Sequence, residues 1–541
     1  MTSRAPIPDL SVDAPPDPRR WLVLAVLCLS LVVVTLDNTI LNVALPTMVR
    51  ELGATSSQLQ WITDSYTLVF AGLLLTAGSL GDRFGRKGCL TVGLVIFGLG
   101  SVLSAVSTSA GQLIVTRAVM GLGAAFVFPA TLSILTNAFT VPAERTRAIA
   151  MWAATAGVGI ALGPVTGGLL LEHFFWGSIF LVNIPIVITA IVGGGLVLPR
   201  SRDPHPPALD PIGAALSIVG LVSLVFAIIQ GPDRGWSDPV VLASFGLALV
   251  TLTAFVVVES TSTHPMIDLQ LFRNPRFSAA SLTVTTIYFA LFGTLFFLTQ
   301  HLQFLLGYGT LLAGLSVLPF ALVLMPTTIL TPRLAARVGT RAIVTTGLTI
   351  IGASLLLRST ASVDTGYLLL VGTSALFALG MGLCIAPATA SIMGAVPKER
   401  AGAGSAINDT TRQIGGALGV AVLGSIGASL FRSSMHHRLG PVAEGPAGNS
   451  IGAALAMAKH LPADQAAPLI DAARHAFVHA ADVTSLVAAL VAFGGALGAA
   501  RFLPGRERVE RLVTDELRLD LSDLDVLHVG AVDEAEVFEL L

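Results

Sequence analysis

Long apolar runs, broken by short polar punctuation, make up most of the chain. An α-helix needs about 20 apolar residues to cross roughly 30 Å of hydrocarbon. Runs of that length predict fourteen spans, at 21–45, 59–80, 89–108, 111–137, 148–171, 178–198, 211–230, 240–259, 278–300, 310–332, 341–358, 366–393, 405–430 and 481–503. The runs are continuous and rich in Gly and Ala rather than alternating, which suits closely packed helices and not a membrane β-barrel. The first run exceeds the apolar core of a signal peptide and contains Asp37, so it is expected to be a retained span.

The polar interruptions predict the organisation. Residues 1–20 form an N-terminal segment, 21–198 a six-helix bundle, 199–277 linker loops around an inserted hairpin of spans seven and eight, 278–503 a second six-helix bundle, and 504–541 a tail. A long outer loop is expected at 431–480, with 463–480 at helical spacing and able to fold over the outer mouth. Two short basic loops, 81–87 and 333–341, occupy equivalent places if spans one to six match spans nine to fourteen. Two such halves around a midplane site are a transporter plan. Of the 31 Lys and Arg, 22 fall on the side of the N-terminus, seven on the other side and two within spans, which predicts cytoplasmic termini.

Composition narrows the function. Only 12% of the 541 residues are charged and 53% are hydrophobic. Soluble proteins carry about 25% charged residues. A net charge of -2 offers no basic surface for nucleic acid. Cys28, Cys89 and Cys384 lie in apolar runs, so no disulfide framework is expected. Neither a phosphate-binding Gly-rich loop with Lys nor a zinc-binding His-Glu-x-x-His occurs, and Gly448-Asn449-Ser450-Ile451-Gly452 has no strand before it. No cofactor, metal or enzymatic activity is expected.

Charges inside spans are expensive and face cavities or partners. Asp37 stands about 13 Å below the outer end of its span, Asp64 about 8 Å and Arg117 about 9 Å. Asp409 and Arg412 lie in the inner half of span thirteen. A carboxylate whose surroundings alternate between dry and arginine-paired can take a proton on one side and release it on the other. Other readings stay open: Asp409 can simply pair with Arg412 at i,i+3, Arg117 can anchor helix packing, Asp64 can be wet and outer-facing, and Asp37 can be a structural acceptor.

Gly78-Ser79-Leu80-Gly81-Asp82-Arg83-Phe84-Gly85-Arg86-Lys87 resembles the loop 2–3 motif of the major facilitator superfamily, with Gly81 where alanine is common. Arg117-Ala118-Val119-Met120-Gly121-Leu122-Gly123 resembles its span-four motif, and Gly159-Ile160-Ala161-Leu162-Gly163-Pro164-Val165-Thr166-Gly167-Gly168 its antiporter motif in span five. Leu36-Asp37-Asn38-Thr39, Trp61-Ile62-Thr63-Asp64-Ser65-Tyr66 and Gln300-His301-Leu302-Gln303 resemble the fourteen-span drug:proton antiporters, which export quaternary ammonium compounds and dyes.

The resemblance implies the major facilitator fold, an all-α polytopic membrane protein of two six-helix bundles plus an inserted hairpin. It implies proton-coupled multidrug efflux of lipophilic, mostly monovalent cations across a bacterial plasma membrane, by a monomer whose partners are its substrates, protons and lipid. Proton coupling falls to Asp37, Arg117 and Asp409, and substrate binding to Asp37, Asn38, Trp61, Asp64 and Tyr66. Gating falls to Gly78, Asp82, Arg83, Gly85, Arg86, Gly159, Gly163, Pro164, Gly167 and Gly168. The span at 310–332 has no acid, which predicts a preference for monovalent over divalent cations. Export of an endogenous lipid, peptide or metabolite, and a non-transporting sensor or scaffold, are the alternatives.

Overall fold

The computed structural model describes residues 18–202, 210–262, 265, 267–396, 401–440 and 445–505. The Pro-rich start 1–17, the linker core 203–209, Lys398, Arg400 and the tail 506–541 lie outside the described residues. The first six long helices are α1 (Arg20–Leu52), α2 (Ser56–Phe84), α3 (Arg86–Ala105), α4 (Ala110–Ala138), α5 (Pro142–His173) and α6 (Ser178–Val197). A hairpin follows, α7 (Pro211–Arg234) and α8 (Pro239–Thr261). The last six are α9 (Pro275–Leu305), α10 (Thr310–Val338), α11 (Thr340–Arg358), α12 (Tyr367–Met393), α13 (Ala401–Leu439) and α14 (Ala463–Phe502).

Thirteen helices among the described residues are long and apolar enough to span a bilayer. The fourteenth in position is α2, which is 29 residues long but carries Gln58, Gln60, Thr63, Asp64, Ser65 and Thr67. Its polarity is tolerated because most of these side chains are buried against protein. Local signals set the starts: Thr55 and Gln58 form a reciprocal capping box on α2, and Asn274 caps α9 ahead of Pro275.

The two halves repeat. Gly85 (φ 111°) joins α2 to α3, and Gly339 (φ 92°) joins α10 to α11. L side chains disfavour that backbone conformation. The Arg86 N–H donates to the Ser201 carbonyl beyond α6 (3.0 Å), and the Arg341 N–H to the Pro504 carbonyl beyond α14 (3.3 Å). The same bond in each half matches α1–α6 to α9–α14. The hairpin packs where the halves meet, with Val225 and Ile229 of α7 against Leu68 of α2 and Ala417 and Ala421 of α13.

Contacts between the halves gather at the end away from the N-terminus, the distal end. Gln303 Nε2 donates to the Val43 carbonyl (2.8 Å), Ser56 Oγ to the Asn449 carbonyl (2.7 Å), and Thr310 Oγ1 to Glu172 Oε2 (3.0 Å). The expected loop at 431–480 is largely helix. α13 continues to Leu439 and α14 begins at Ala463; among the described residues between them lie a 3-10 turn, Pro446–Gly448, and a short helix, Ile451–Ala458. Segment 463–480 is therefore the start of the last span rather than a cap over the mouth. These helices are 39 and 40 residues long. They outrun the hydrocarbon thickness, so their polar ends read as loop in the sequence.

Candidate functional site

Asp37 of α1 and Arg117 of α4 form an ion pair in which both residues are 0% exposed. The other carboxylate oxygen, Oδ1, accepts a bond from Asn183 Nδ2 of α6 (3.0 Å). Asn183 also donates to Ser101 Oγ of α3 (3.2 Å). Arg117 Nε donates to the Ile62 carbonyl of α2 (3.2 Å), and its guanidinium stands 4.4 Å from the centre of the Tyr66 ring. Ile62 and Tyr66 share a face because they are four residues apart. Five helices thus converge on one buried charge pair. Sequence reasoning does not single out Asn183 and Ser101, although Asn183 is an amide inside an otherwise apolar span.

The remaining predicted residues of α1 and α2 do not all join this cluster. Asn38 is half-buried on the next position of α1. Trp61 turns towards the hairpin, 6.1 Å from the Phe226 ring, because its neighbours there are apolar. Asp64 is 0% exposed, and neither of its oxygens has a hydrogen-bond partner among the described residues. It is sealed in this conformation rather than wet and outer-facing.

The span-five glycines lie against the same stretch of α1. A Cβ on Gly159 or Gly163 would overlap the hydroxyl of Thr35 or Thr39, and one on Gly167 would come 2.7 Å from Ile40 Cγ1. Thr39 Oγ1 donates to the Gly159 carbonyl (3.3 Å). Gly168 faces α10, where a Cβ would come 2.6 Å from the Thr310 carbonyl oxygen, and Pro164 touches Gly314. One stretch of α5 thereby touches both α1 beside Asp37 and the opposite half.

At the proximal end Asp82 accepts from Arg86 Nε (2.8 Å), and Arg86 Nη1 donates to the Ser133 carbonyl of α4 (3.4 Å). Lys87 Nζ donates to the Gly195 and Leu198 carbonyls (2.9 Å each), while Arg83 is exposed and Gly78 lies against Pro129 of α4. These bonds tie helix ends together within the first half.

In the second half Asp409 Oδ1 lies 3.5 Å from Arg412 Nη1, with side chains 12% and 26% exposed. Arg412 Nη2 donates to Thr389 Oγ1 (3.3 Å) and its guanidinium stands 5.7 Å from the Tyr288 ring centre.

Paired helical halves, buried cross-helix charge and a glycine seam define a membrane carrier fold. Residues 27–420 match the family model described as Major Facilitator Superfamily. The chain belongs to that family. It is 36% identical over 480 residues to the multidrug efflux pump LfrA of Mycolicibacterium smegmatis, covering 88% of this chain and 95% of that one. It is 33% identical over 462 residues to the methyl viologen resistance protein SmvA of Salmonella typhimurium, covering 85% and 93%. Among solved structures, an occupied inward-facing bacterial homologue of the human lysosomal transporter Spinster shares the fold with a TM-score of 0.64 at 17% identity, covering 90% and 98%.

Proposed function

We propose that this protein is a proton-coupled multidrug exporter of lipophilic, mostly monovalent cations, of the fourteen-span antiporter branch. In this reading it works as a monomeric carrier, not an enzyme, in a bacterial plasma membrane with both termini in the cytoplasm. The observation that carries it is the Asp37–Arg117 pair, buried across two helices and flanked by the α5 glycine seam. The similarity to named multidrug and methyl viologen resistance proteins supports the substrate class.

The mechanism follows from electrostatics. A proton added to Asp37 Oδ2 cancels the charge that Arg117 faces, and the guanidinium must then find a new partner. Such a loss is large in a dry site. α1 can shift along the smooth face of Gly159, Gly163 and Gly167, and α5 transmits the shift to α10 through Gly168 and Pro164. A cationic substrate competes with the proton for the same negative charge. With cytoplasmic termini, closure at the distal end corresponds to a carrier facing the cytoplasm. Asp409, beside Arg412 in the second half, serves as a second proton carrier, while Tyr66, Asn38, Trp61 and Asp64 receive the cation through charge and ring faces. The absence of an acid on α10 underlies the monovalent preference.

The test is dye transport by the purified protein in liposomes under an imposed pH gradient. Ethidium should accumulate, a protonophore should abolish accumulation, and a bisquaternary dye should move more slowly. Gradient-independent movement, or equal handling of uncharged dyes, would overturn the proposal.

A further inference from the structure

Three ionisable side chains of the second half meet at its distal end, around a space that one water molecule fills. His301 comes from a π-helical turn that ends α9, Arg358 from the last turn of α11, and Asp482, with Ser485, from α14. These helices match α1, α3 and α6, which supply Asp37, Ser101 and Asn183 to the first-half cluster. His301 and Arg358 are buried, and His301 Nε2 has no hydrogen-bond partner among the described residues. Asp482 is the counter-charge of Arg358 and faces it across the space. A water there finds several polar partners and links them. α12 lends only Leu370 to the lining, while α13 and the short helix Ile451–Ala458 lend no charged group among the described residues.

Asp482 is half-buried, unlike the sealed Asp37, and α14 leads down to it from the distal end. Asp471, His475, His479 and Asp482 follow at intervals of four, four and three residues, which sets them on one helix face. Asp471 and His479 are exposed, and His475 Nδ1 lies 3.3 Å from Asp471 Oδ1. Histidine is the side chain that takes and gives protons near neutral pH, so this row can pass protons from water to a carboxylate. The π turn joins the cluster to the first half. Its Leu305 carbonyl accepts from Arg474 Nη2 of α14 (2.8 Å), and its Gln303 donates to the Val43 carbonyl of α1, six residues from Asp37. Such turns are rare and gather at functional sites.

We infer that Asp482 is a further proton-binding residue, loaded from the distal water through His475 and His479 and held by Arg358 and His301. In the loading step an imidazolium N–H bond breaks, an O–H bond forms on the carboxyl group, and the imidazole takes its next proton from water. Arg358 then loses its counter-charge, and the π turn passes the change to α1. The part this plays in transport rests on the exporter reading, in which the distal side is the outside; the proton site itself does not.

The experiment pairs two readouts on full-length protein that elutes as a single species. Difference infrared spectroscopy in phosphatidylcholine nanodiscs follows the C=O stretch of protonated carboxyl groups during an acid titration. Ethidium accumulation in liposomes is measured as the pH bathing the distal side is varied. Asp482→Asn should remove one carboxyl band that Asp37→Asn leaves in place, and Asp482→Glu should restore a titrating band. Arg358→Gln should enlarge the Asp482 band several-fold at neutral pH, because the carboxylate loses its counter-charge, while Arg358→Lys should leave it nearly unchanged. In transport, Asp482→Asn should flatten the dependence on distal pH and keep exchange at equal pH. His475→Gln combined with His479→Gln should slow accumulation several-fold with the band intact. A full set of bands in Asp482→Asn, or an Asp482 band that Arg358→Gln leaves unchanged, would overturn the assignment. An unaltered distal pH dependence in Asp482→Asn would overturn its part in coupling. The band present in a protein that shows no gradient-driven accumulation would refute the exporter reading and leave the proton site standing.

Discussion

Two of the Asp–Arg pairs among the described residues, one in each half, share a composition and are built in opposite ways. Asp37 and Arg117 come from different helices, are fully buried and are fixed by Asn183, Ile62 and Tyr66. Asp409 and Arg412 stand one turn apart on α13, the acid buried and the arginine half-buried. A pair within one helix keeps its spacing whatever neighbouring helices do. A pair across helices holds only while those helices keep their places. The first can report protonation as helix movement, and the second can only neutralise charge or pass a proton along.

Removing either arginine separates the two directly. Arg117→Ala leaves Asp37 buried and uncompensated, and should cost about 3–5 kcal/mol. Arg412→Ala should cost less, because its partner stands 3.5 Å away on the same helix and its own side chain is a quarter exposed. Thermal unfolding of both variants in detergent measures the gap, and equal losses would erase the distinction. Gly163→Val tests the seam beside the first pair. The added side chain overlaps Thr39 and should cost about 1–3 kcal/mol of packing, with dye transport lost in protein that still inserts. The matching change at Gly157, where no neighbour lies within 4 Å, should be tolerated.

Smaller effects sharpen the comparison further. Asp409→Asn should slow gradient-driven transport several-fold without lowering stability, measured as initial rates beside melting curves. At the proximal end of α1, Arg20 donates to both oxygens of Glu144 on α5 (2.7 and 2.9 Å). These bonds hold the Glu144 carboxyl below its ordinary value of 4.5. A depressed carboxylate stabilises the fold above its unfolded value, and that contribution is lost as pH falls through the folded value. Glu144→Gln should therefore lower the melting temperature slightly at neutral pH and converge with the unaltered protein in acid, which flattens the acid side of the profile.

Much of this was legible in the sequence because membrane helices announce themselves by composition. The spans, the repeat of the 81–87 and 333–341 loops, and the identities of Asp37 and Arg117 all follow from lone polar residues in apolar runs. Their pairing was not legible, since it depends on how α1 and α4 rotate against each other across 80 positions. Trp61 and Asp64 look alike to Tyr66 in sequence, yet helical rotation sends them to other faces. The polar ends of α13 and α14 read as loop because hydropathy marks where lipid ends rather than where a helix ends. Arg358 misleads for the same reason: it closes an apolar run and looks like a boundary residue, but neighbouring helices bury it.

The central claim is that protonation of Asp37 drives the carrier. The most direct measurement compares Asp37→Asn with the unaltered protein in liposomes, in two modes: ethidium accumulation under a pH gradient, and ethidium exchange at equal pH. The account predicts that accumulation disappears while exchange survives. Gradient-driven accumulation at the unaltered rate would contradict it.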